Sequence, residues 1–131
     1  MARLTLRLDL GPEQAIGPGK IRLLEAVRDL GSISEAGRAL DMSYRRAWLL
    51  VADLNACFRE PVVTTQLGGT RGGGAALTPF GRSLVAHYRA IERQAHAATA
   101  KRLRQLETAL RAPAKAATAA KKRRRRATTP R

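Results

Sequence analysis

Two short helical patterns with only three residues between them constrain the fold of this chain more than any other feature. The first pattern begins at Ser32, which has the capping-box spacing from Glu35. The second runs from Tyr44 to about Cys57, and Ser43 stands at its N-cap position. Each pattern turns one apolar stripe inward, formed by Ile33, Ala36 and Leu40 in the first and by Ala47, Leu50, Val51, Leu54 and Phe58 in the second. Two helices joined by so tight a turn predict a helix-turn-helix motif.

The flanking segments complete the pattern of a larger fold. Residues 4–10 alternate leucine with polar residues, as in a strand with one buried face that needs a partner in this chain or another. A helix is predicted from about Pro18 to Leu30. Residues 62–77 predict a β-hairpin around a tip with five glycines in seven residues, and Thr78 caps a long helix. The expected class is mainly α with small β, a winged helix-turn-helix with an N-terminal strand, a hairpin wing and a long C-terminal dimerisation helix.

The long C-terminal helix has apolar residues at steps of three and four for about eight turns. Its first half, Phe80 to Tyr88, is expected to pack on the preceding helices of the same chain. Beyond Ile91 the chain has too few elements left to cover the stripe, so we expect a second copy to cover it. The predicted dimerisation residues are Leu4, Leu6 and Leu8 of the strand and Tyr88, Ile91, Ala95, Leu103, Leu106 and Leu110 of the helix.

The charge of the chain predicts a polyanion as partner. The 131 residues include 25 Lys and Arg against 10 Asp and Glu, a formal net charge of +15. Residues 112–131 hold eight of these cations, no acid and no large apolar side chain, and we expect them to form a disordered basic tail. Residues 1–111 remain basic and form the predicted DNA-binding domain with its dimerisation helix.

The composition also excludes several classes of protein. The acidic residues stand singly, and His87 and His96 are nine residues apart with no carboxylate or thiol beside them, so we expect no catalytic site, no metal and no cofactor. The single cysteine, Cys57, indicates a reducing compartment. No secretion signal is evident, and the longest apolar run has six residues against the ~20 of a membrane helix. We therefore expect a cytoplasmic protein of the bacterial nucleoid that does not enter a membrane.

Helix-turn-helix proteins place the start of the second helix against base edges, and this position carries two arginines here. Either arginine could instead simply be solvated, but the motif favours DNA. Trp48 could stack on a base, although its position beside Ala47 and Val51 favours the core. The glycine-rich tip lacks the Lys and Ser/Thr of a P-loop, so it is interpreted as a wing. The predicted DNA-binding residues are Ser32, Ser34, Ser43, Tyr44, Arg45, Arg46, Thr70, Arg71, Lys121, Lys122, Arg123 and Arg124.

Three segments carry a resemblance to a known family: GSISEAGRALDMSYRRAWLLVADLN, TTQLGGTRGGGAALTPFGRSLVAHYR and the leading leucine strand. Over about residues 3–110 the chain resembles the N-terminal, LysR-like DNA-binding domain of ModE-type molybdate-responsive regulators. The resemblance implies a homodimer with its recognition helices in successive major grooves of a pseudo-palindromic operator, usually near genes for molybdate uptake. Full regulators continue into molybdate-binding domains, whereas this chain continues into its basic tail. From this we expect that it carries no molybdate sensor of its own.

These observations predict a sequence-specific regulator of transcription that binds double-stranded DNA as a homodimer. Two alternatives stay open. One is a nucleoid-associated or architectural protein that acts mainly through backbone contacts and the basic tail. The other is an interaction module that assembles with a separate molybdate-sensing protein.

Overall fold

The computed structural model of the protein describes residues 1–66 and 74–111. Within these ranges the described residues fall into two compact units, Arg3–Ala98 and Met1–Ala2 with residues 99–111. Within the described residues the chain is mainly helical with two small antiparallel hairpins, which confirms the predicted class of mainly α with small β. The elements follow the order β1 (Leu8–Asp9), β2 (Ala15–Ile16), α1 (Pro18–Leu30), α2 (Ile33–Ala39), α3 (Tyr44–Cys57), β3 (Val63–Gln66), β4 (Gly74–Leu77) and α4 (Pro79–Thr108).

The N-terminal strand is shorter than the alternation of leucines predicts. Only Leu8–Asp9 forms a strand, and it pairs with Ala15–Ile16 of the same chain, a strand that the sequence did not predict. The turn between them is closed by the Leu10 amide, which donates to the Gln14 carbonyl at 2.8 Å. Leu4, Leu6 and Leu8 are each half-buried, and the residues between them are exposed, so burial alternates as the sequence predicts. Only Leu8 and Asp9 of this segment take part in strand pairing.

The core of the Arg3–Ala98 unit is assembled around α1. Gly17 and Pro18 start this helix, and Gly31 ends it in the left-handed conformation with φ of 70°. The carbonyl of Gly31 then accepts a 2.9 Å hydrogen bond from the Ala75 amide, which ties β4 to the end of α1. The buried side chains include Ile16, Ile21, Leu23, Leu24, Val27, Ile33, Ala36, Val51, Leu54, Val62, Val63, Leu77 and Tyr88.

The second hairpin is held by one asparagine of α3. The Asn55 carboxamide oxygen accepts from the amides of Val62 and Val63 at 2.7 and 3.0 Å, and its nitrogen donates to the Val63 carbonyl at 3.1 Å. β3 and β4 pair antiparallel from Val63 opposite Leu77 to Gln66 opposite Gly74. The predicted hairpin is therefore confirmed, while its tip at residues 67–73 lies outside the described residues.

The C-terminal helix α4 starts where Thr78 caps it. The Thr78 hydroxyl donates to the Pro61 carbonyl at 2.7 Å and accepts from the Gly81 amide at 2.8 Å. At the other end the backbone tightens into i to i+3 bonds, and the Leu110 amide donates to the Glu107 carbonyl at 3.2 Å. Because α4 ends at Thr108, Leu110 lies beyond the helical stripe to which the sequence assigned it.

Tyr88 agrees with the expectation that the first half of α4 packs on its own chain, and disagrees with the expectation that it contacts a second copy. Its side chain is 1% exposed, so it belongs to the core of one subunit and has no surface left for the predicted contact with a second copy. Its hydroxyl donates to the Leu6 carbonyl at 2.6 Å, which anchors the N-terminal segment. None of the four helices described has the length and hydropathy that a membrane-spanning helix requires.

Candidate nucleic-acid interface

Serine side chains cap both helices of the predicted helix-turn-helix. The Ser32 hydroxyl oxygen accepts from the Glu35 amide at 3.1 Å, and the Ser43 hydroxyl oxygen accepts from the Arg46 amide at 3.1 Å. Each cap satisfies one of the amides that a helix start leaves without an intrahelical partner. Both N-caps predicted from the sequence are confirmed.

The turn between α2 and α3 reverses the chain within a few residues. Leu40 and Met42 donate their amides back to carbonyls of α2, Met42 to Gly37 at 2.9 Å. Asp41 adopts the left-handed conformation with φ of 58°. Aspartate tolerates this conformation better than most residues with a Cβ. The tight turn places the start of α3 directly after α2.

Gly37 and Ala47 set how closely α2 and α3 approach each other. Both residues are buried, and a Cβ added at Gly37 would lie 2.9 Å from the Cβ of Ala47. Two carbon atoms prefer a separation of about 3.5 to 4.0 Å, so the pair has room for only one methyl group. The small residue at position 37 therefore fixes the position of α3 against α2.

The start of α3 presents its polar side chains to solvent. Ser43, Tyr44, Arg45 and Arg46 are all exposed. Within residues 1–66 and 74–111, neither arginine forms an ion pair within 4.0 Å. The positive end of the helix dipole lies at the same place and adds to their field. An anion that approaches this helix end meets two guanidinium groups that no carboxylate of the described chain neutralises.

Two shallow depressions border this end of α3, and Arg46 lines both. One has a volume of about 390 Å³ and is lined by Ser43, Arg45, Arg46, Leu49, Leu50 and Asp53. The other has about 400 Å³, and its cationic lining includes Arg7 and Lys20. The Lys20 ammonium donates to the Ala15 carbonyl at 3.0 Å, and Arg7 pairs with Asp9 at 3.0 Å. The sequence did not predict Arg7 or Lys20 here, because only the fold brings them beside α3.

Trp48 corrects the expectation that it belongs to the core. Its side chain is 38% exposed, and its ring packs edge to face on Tyr44, with the centroids 6.0 Å apart. The buried stripe of α3 consists of Ala47, Val51 and Leu54. Trp48 lies one residue, or about 100°, around the helix from Ala47, and this rotation turns it out of the stripe.

The remaining predicted DNA-binding residues are only partly described. Ser32 and Ser34 are half-buried at the start of α2, and the hydroxyl oxygen of Ser32 already accepts the capping bond. Thr70, Arg71, Lys121, Lys122, Arg123 and Arg124 lie outside the described residues. The structure therefore brings together the four residues at the start of α3 and leaves the wing and tail contacts as predictions.

A partly buried ion-pair cluster joins α1 to α4. Arg89 donates to both carboxylate oxygens of Glu25, at 2.9 and 2.7 Å, and to Glu92 at 2.6 Å. These hydrogen bonds lower the pKa of Glu25 below its ordinary value and raise the pKa of Arg89. The hydroxyl of neighbouring Tyr88 has its pKa raised by burial. The charges of this cluster are paired with one another, so we assign the cluster to the stability of the fold.

Comparison with known proteins identifies relatives of this chain. Over 92 residues it is 42% identical to the molybdenum transport protein ModE of Azotobacter vinelandii, a match that covers 70% of this chain and 33% of that protein. Over 87 residues it is 33% identical to the DNA-binding transcriptional dual regulator ModE of Escherichia coli K12, covering 66% of this chain and 33% of that protein. The chain is a homologue of the ModE proteins.

The resemblance to ModE predicted from the sequence is thus confirmed. A third relative, the molybdenum-pterin-binding protein MopB of Rhodobacter capsulatus, is 47% identical over 77 residues, which are 59% of this chain and 28% of MopB. The ModE-like chain therefore spans about a third of the length of the curated relatives that it matches. No family model matches it.

Proposed function

We propose that this protein is a regulator of transcription that binds double-stranded DNA in a sequence-specific manner. The observation that carries the proposal is the exposed start of α3, where Arg45 and Arg46 form no ion pair within the described part of the chain. The homologue from Escherichia coli is named a DNA-binding transcriptional dual regulator, which supports the same function here. Such a protein acts in the cytoplasm, on the nucleoid.

The chemistry of the helix start matches the major groove of duplex DNA. The groove admits one α-helix, and an arginine can donate two hydrogen bonds to the O6 and N7 atoms of guanine. The net charge of +15 attracts the phosphates whatever their sequence. We assign base contacts to Arg45 and Arg46 and a phosphate contact to Tyr44, with further phosphate contacts from the wing residues Thr70 and Arg71.

We further propose that the protein binds a pseudo-palindromic operator as a homodimer. On α4, Ile91 is 40% and Leu106 is 67% exposed, and both belong to the apolar stripe at steps of three and four that the sequence predicts for this helix. A second copy of the same helix can cover them, and the half-buried leucines of the N-terminal segment can extend the contact. For a two-fold dimer of this class we expect half-sites about 34 to 36 Å apart, which is one helical turn of DNA.

Selection of bound fragments from a genome at near-physiological salt tests this function. A sequence-specific dimer is expected to return a two-fold motif with half-sites one turn apart. Fragments without a shared motif would instead indicate an architectural protein that binds the backbone alone, and the proposal would be wrong.

Arginine variants then test the assigned residues. Replacing Arg45 or Arg46 by alanine is expected to relax the base preference at one position by roughly 1 to 3 kcal/mol if the side chain makes a bidentate contact. Arg59→Ala is a matched control, because Arg59 is exposed and follows the opposite end of α3, a helix about 20 Å long. A loss of affinity without a change of preference would assign the arginine to phosphate.

A further inference from the structure

The exposed face of α3 is apolar beyond its first turn. Arg45, Trp48, Leu49 and Ala52 are spaced at i, i+3, i+4 and i+7, which places them on one side of the helix, and all four are exposed. The exposed fractions of Trp48 and Leu49 are 38% and 53%, and that of Tyr44 beside them is 60%. This helix therefore buries one apolar stripe and shows a second one to solvent.

The aromatic part of this exposed face is held in a defined position. Tyr44 and Trp48 are four residues apart, and their rings meet edge to face at 67°. Exposed apolar side chains clustered beside charged groups mark binding sites more often than single exposed residues do. Arg45 and Arg46, which form no ion pair with the described residues, lie in the same turn, so the surface combines cations with an apolar patch.

We propose that Trp48, supported by Tyr44 and extended by Leu49, contacts the C5-methyl group of thymine in the major groove. The inference rests on the proposed function and adds to it a preference for T·A pairs beside the bases that Arg45 contacts. Thymine is the base that presents an apolar group in this groove. Duplex DNA is a polyanion whose major groove also carries methyl groups. The exposed face of α3 has both matching features, since it carries arginines and aromatic rings side by side.

The spacing along α3 locates the expected thymine. Trp48 and Leu49 follow Arg45 by three and four residues, or about 4.5 to 6 Å along the helix axis. Successive base pairs are separated by about 3.4 Å. The contacted methyl group is therefore expected within about two base pairs of the base that Arg45 contacts.

Substitution of deoxyuridine for thymine, one position at a time in a selected half-site, tests this inference. Deoxyuridine keeps the Watson–Crick pair and removes only the methyl group. With the wild-type protein we expect one or two positions to lose about four-fold in affinity, equivalent to about 0.8 kcal/mol for one buried CH₂-sized group. Thymines outside the half-sites serve as the DNA control and should show no loss.

Variants of the aromatic pair assign the effect to its residue. In Trp48→Ala the loss at those positions should disappear, whereas Trp48→Phe and Tyr44→Phe, which keep a ring at each place, should retain it. Thermal unfolding of each variant shows whether it is folded, and the deoxyuridine series on the wild-type protein requires no variant.

The possible results separate this inference from the proposed function. If the wild-type protein binds an operator but no deoxyuridine lowers its affinity, the thymine contact is wrong and the regulator stands. An equal loss in Trp48→Ala would also reject the contact, and unchanged DNA binding by that variant would point to a protein partner for this face. Failure to bind any duplex selectively would overturn both proposals.

Discussion

Gly37→Ala tests the helix-turn-helix geometry on which the interface depends. The added methyl group would lie 2.9 Å from the Cβ of Ala47, while carbon atoms in contact prefer about 3.5 to 4.0 Å. The two helices would have to separate by roughly 0.6 Å or more to relieve the contact. The neighbouring atoms allow little relief, because the Met42 side chain and carbonyl both lie 3.6 Å from the same point.

Two opposing terms set the size of the effect. Overpacking a buried contact typically costs about 1 to 3 kcal/mol, whereas alanine is favoured over glycine inside a helix by about 1 kcal/mol. We therefore expect Gly37→Ala to lower the free energy of unfolding by up to about 2 kcal/mol. For a domain of about 100 residues this lowers the melting temperature by up to roughly 8 to 16 °C.

A double-mutant cycle with Ala47→Gly isolates the contact from the helix propensities. Ala47→Gly removes the facing methyl group, so the double variant carries one methyl group between the helices, as the wild-type protein does. Urea denaturation of all four proteins should give a favourable coupling energy of about 1 to 3 kcal/mol between the two changes. The close approach of α2 and α3 is refuted if the free-energy changes of the two single variants simply add in the double variant. It is also refuted if Gly37→Ala is more stable than the wild-type protein by the full helix preference of alanine over glycine.

Three further changes probe the scaffold, the cap and the tail. The Arg89 hydrogen bonds lower the pKa of Glu25 from 4.5, so the ionised pair stabilises the fold fully above that pH and loses its effect as the pH falls through the lower folded-state pKa. Glu25→Gln should therefore destabilise the protein at pH 7, and chemical denaturation should show the difference from wild type shrinking as the pH is lowered below 4.5. Ser43→Ala should lower the free energy of unfolding by about 1 kcal/mol in urea denaturation, because it removes the N-cap of α3. Ser34→Ala removes no side-chain hydrogen bond of the described part of the chain, so it should change the free energy of unfolding little. Deletion of residues 112–131 should flatten the dependence of DNA affinity on salt by up to ~0.9 in log–log slope for each phosphate that the tail neutralises, and an unchanged slope would exclude tail contacts.

The helices around the predicted motif could be assigned from the sequence because their signals are local. Ser32 and Ser43 cap the two helices within three residues of the amides they bind, and Gly31 ends α1 by its own backbone conformation. The apolar spacing of α1 to α3 likewise depends only on the helical period. These features require no knowledge of the partner element.

The features that the sequence did not predict depend on distant residues. The strand Ala15–Ile16 has two residues and no alternation, so it exists only through its pairing with Leu8–Asp9. The Glu25 and Arg89 pair spans 64 positions, and no spacing rule relates residues that far apart. The apolar spacing of α4 includes Tyr88 but does not say whether it faces the core or a second copy. The elements packed around it in the fold bury it, and they are not visible in the spacing.

Trp48 shows why an apolar residue on a binding helix is easily assigned to the wrong side. Ala47, Val51 and Leu54 are the buried residues of α3, and Gly37 brings α2 so close to Ala47 that one added methyl group would lie 2.9 Å from its Cβ. An apolar residue in excess of that stripe must face solvent or a ligand. When a helix carries more large apolar residues than its neighbours can cover, the excess is therefore a sequence signal for a contact surface. On α3 this signal indicates the face that also carries Arg45, which forms no ion pair within residues 1–66 and 74–111.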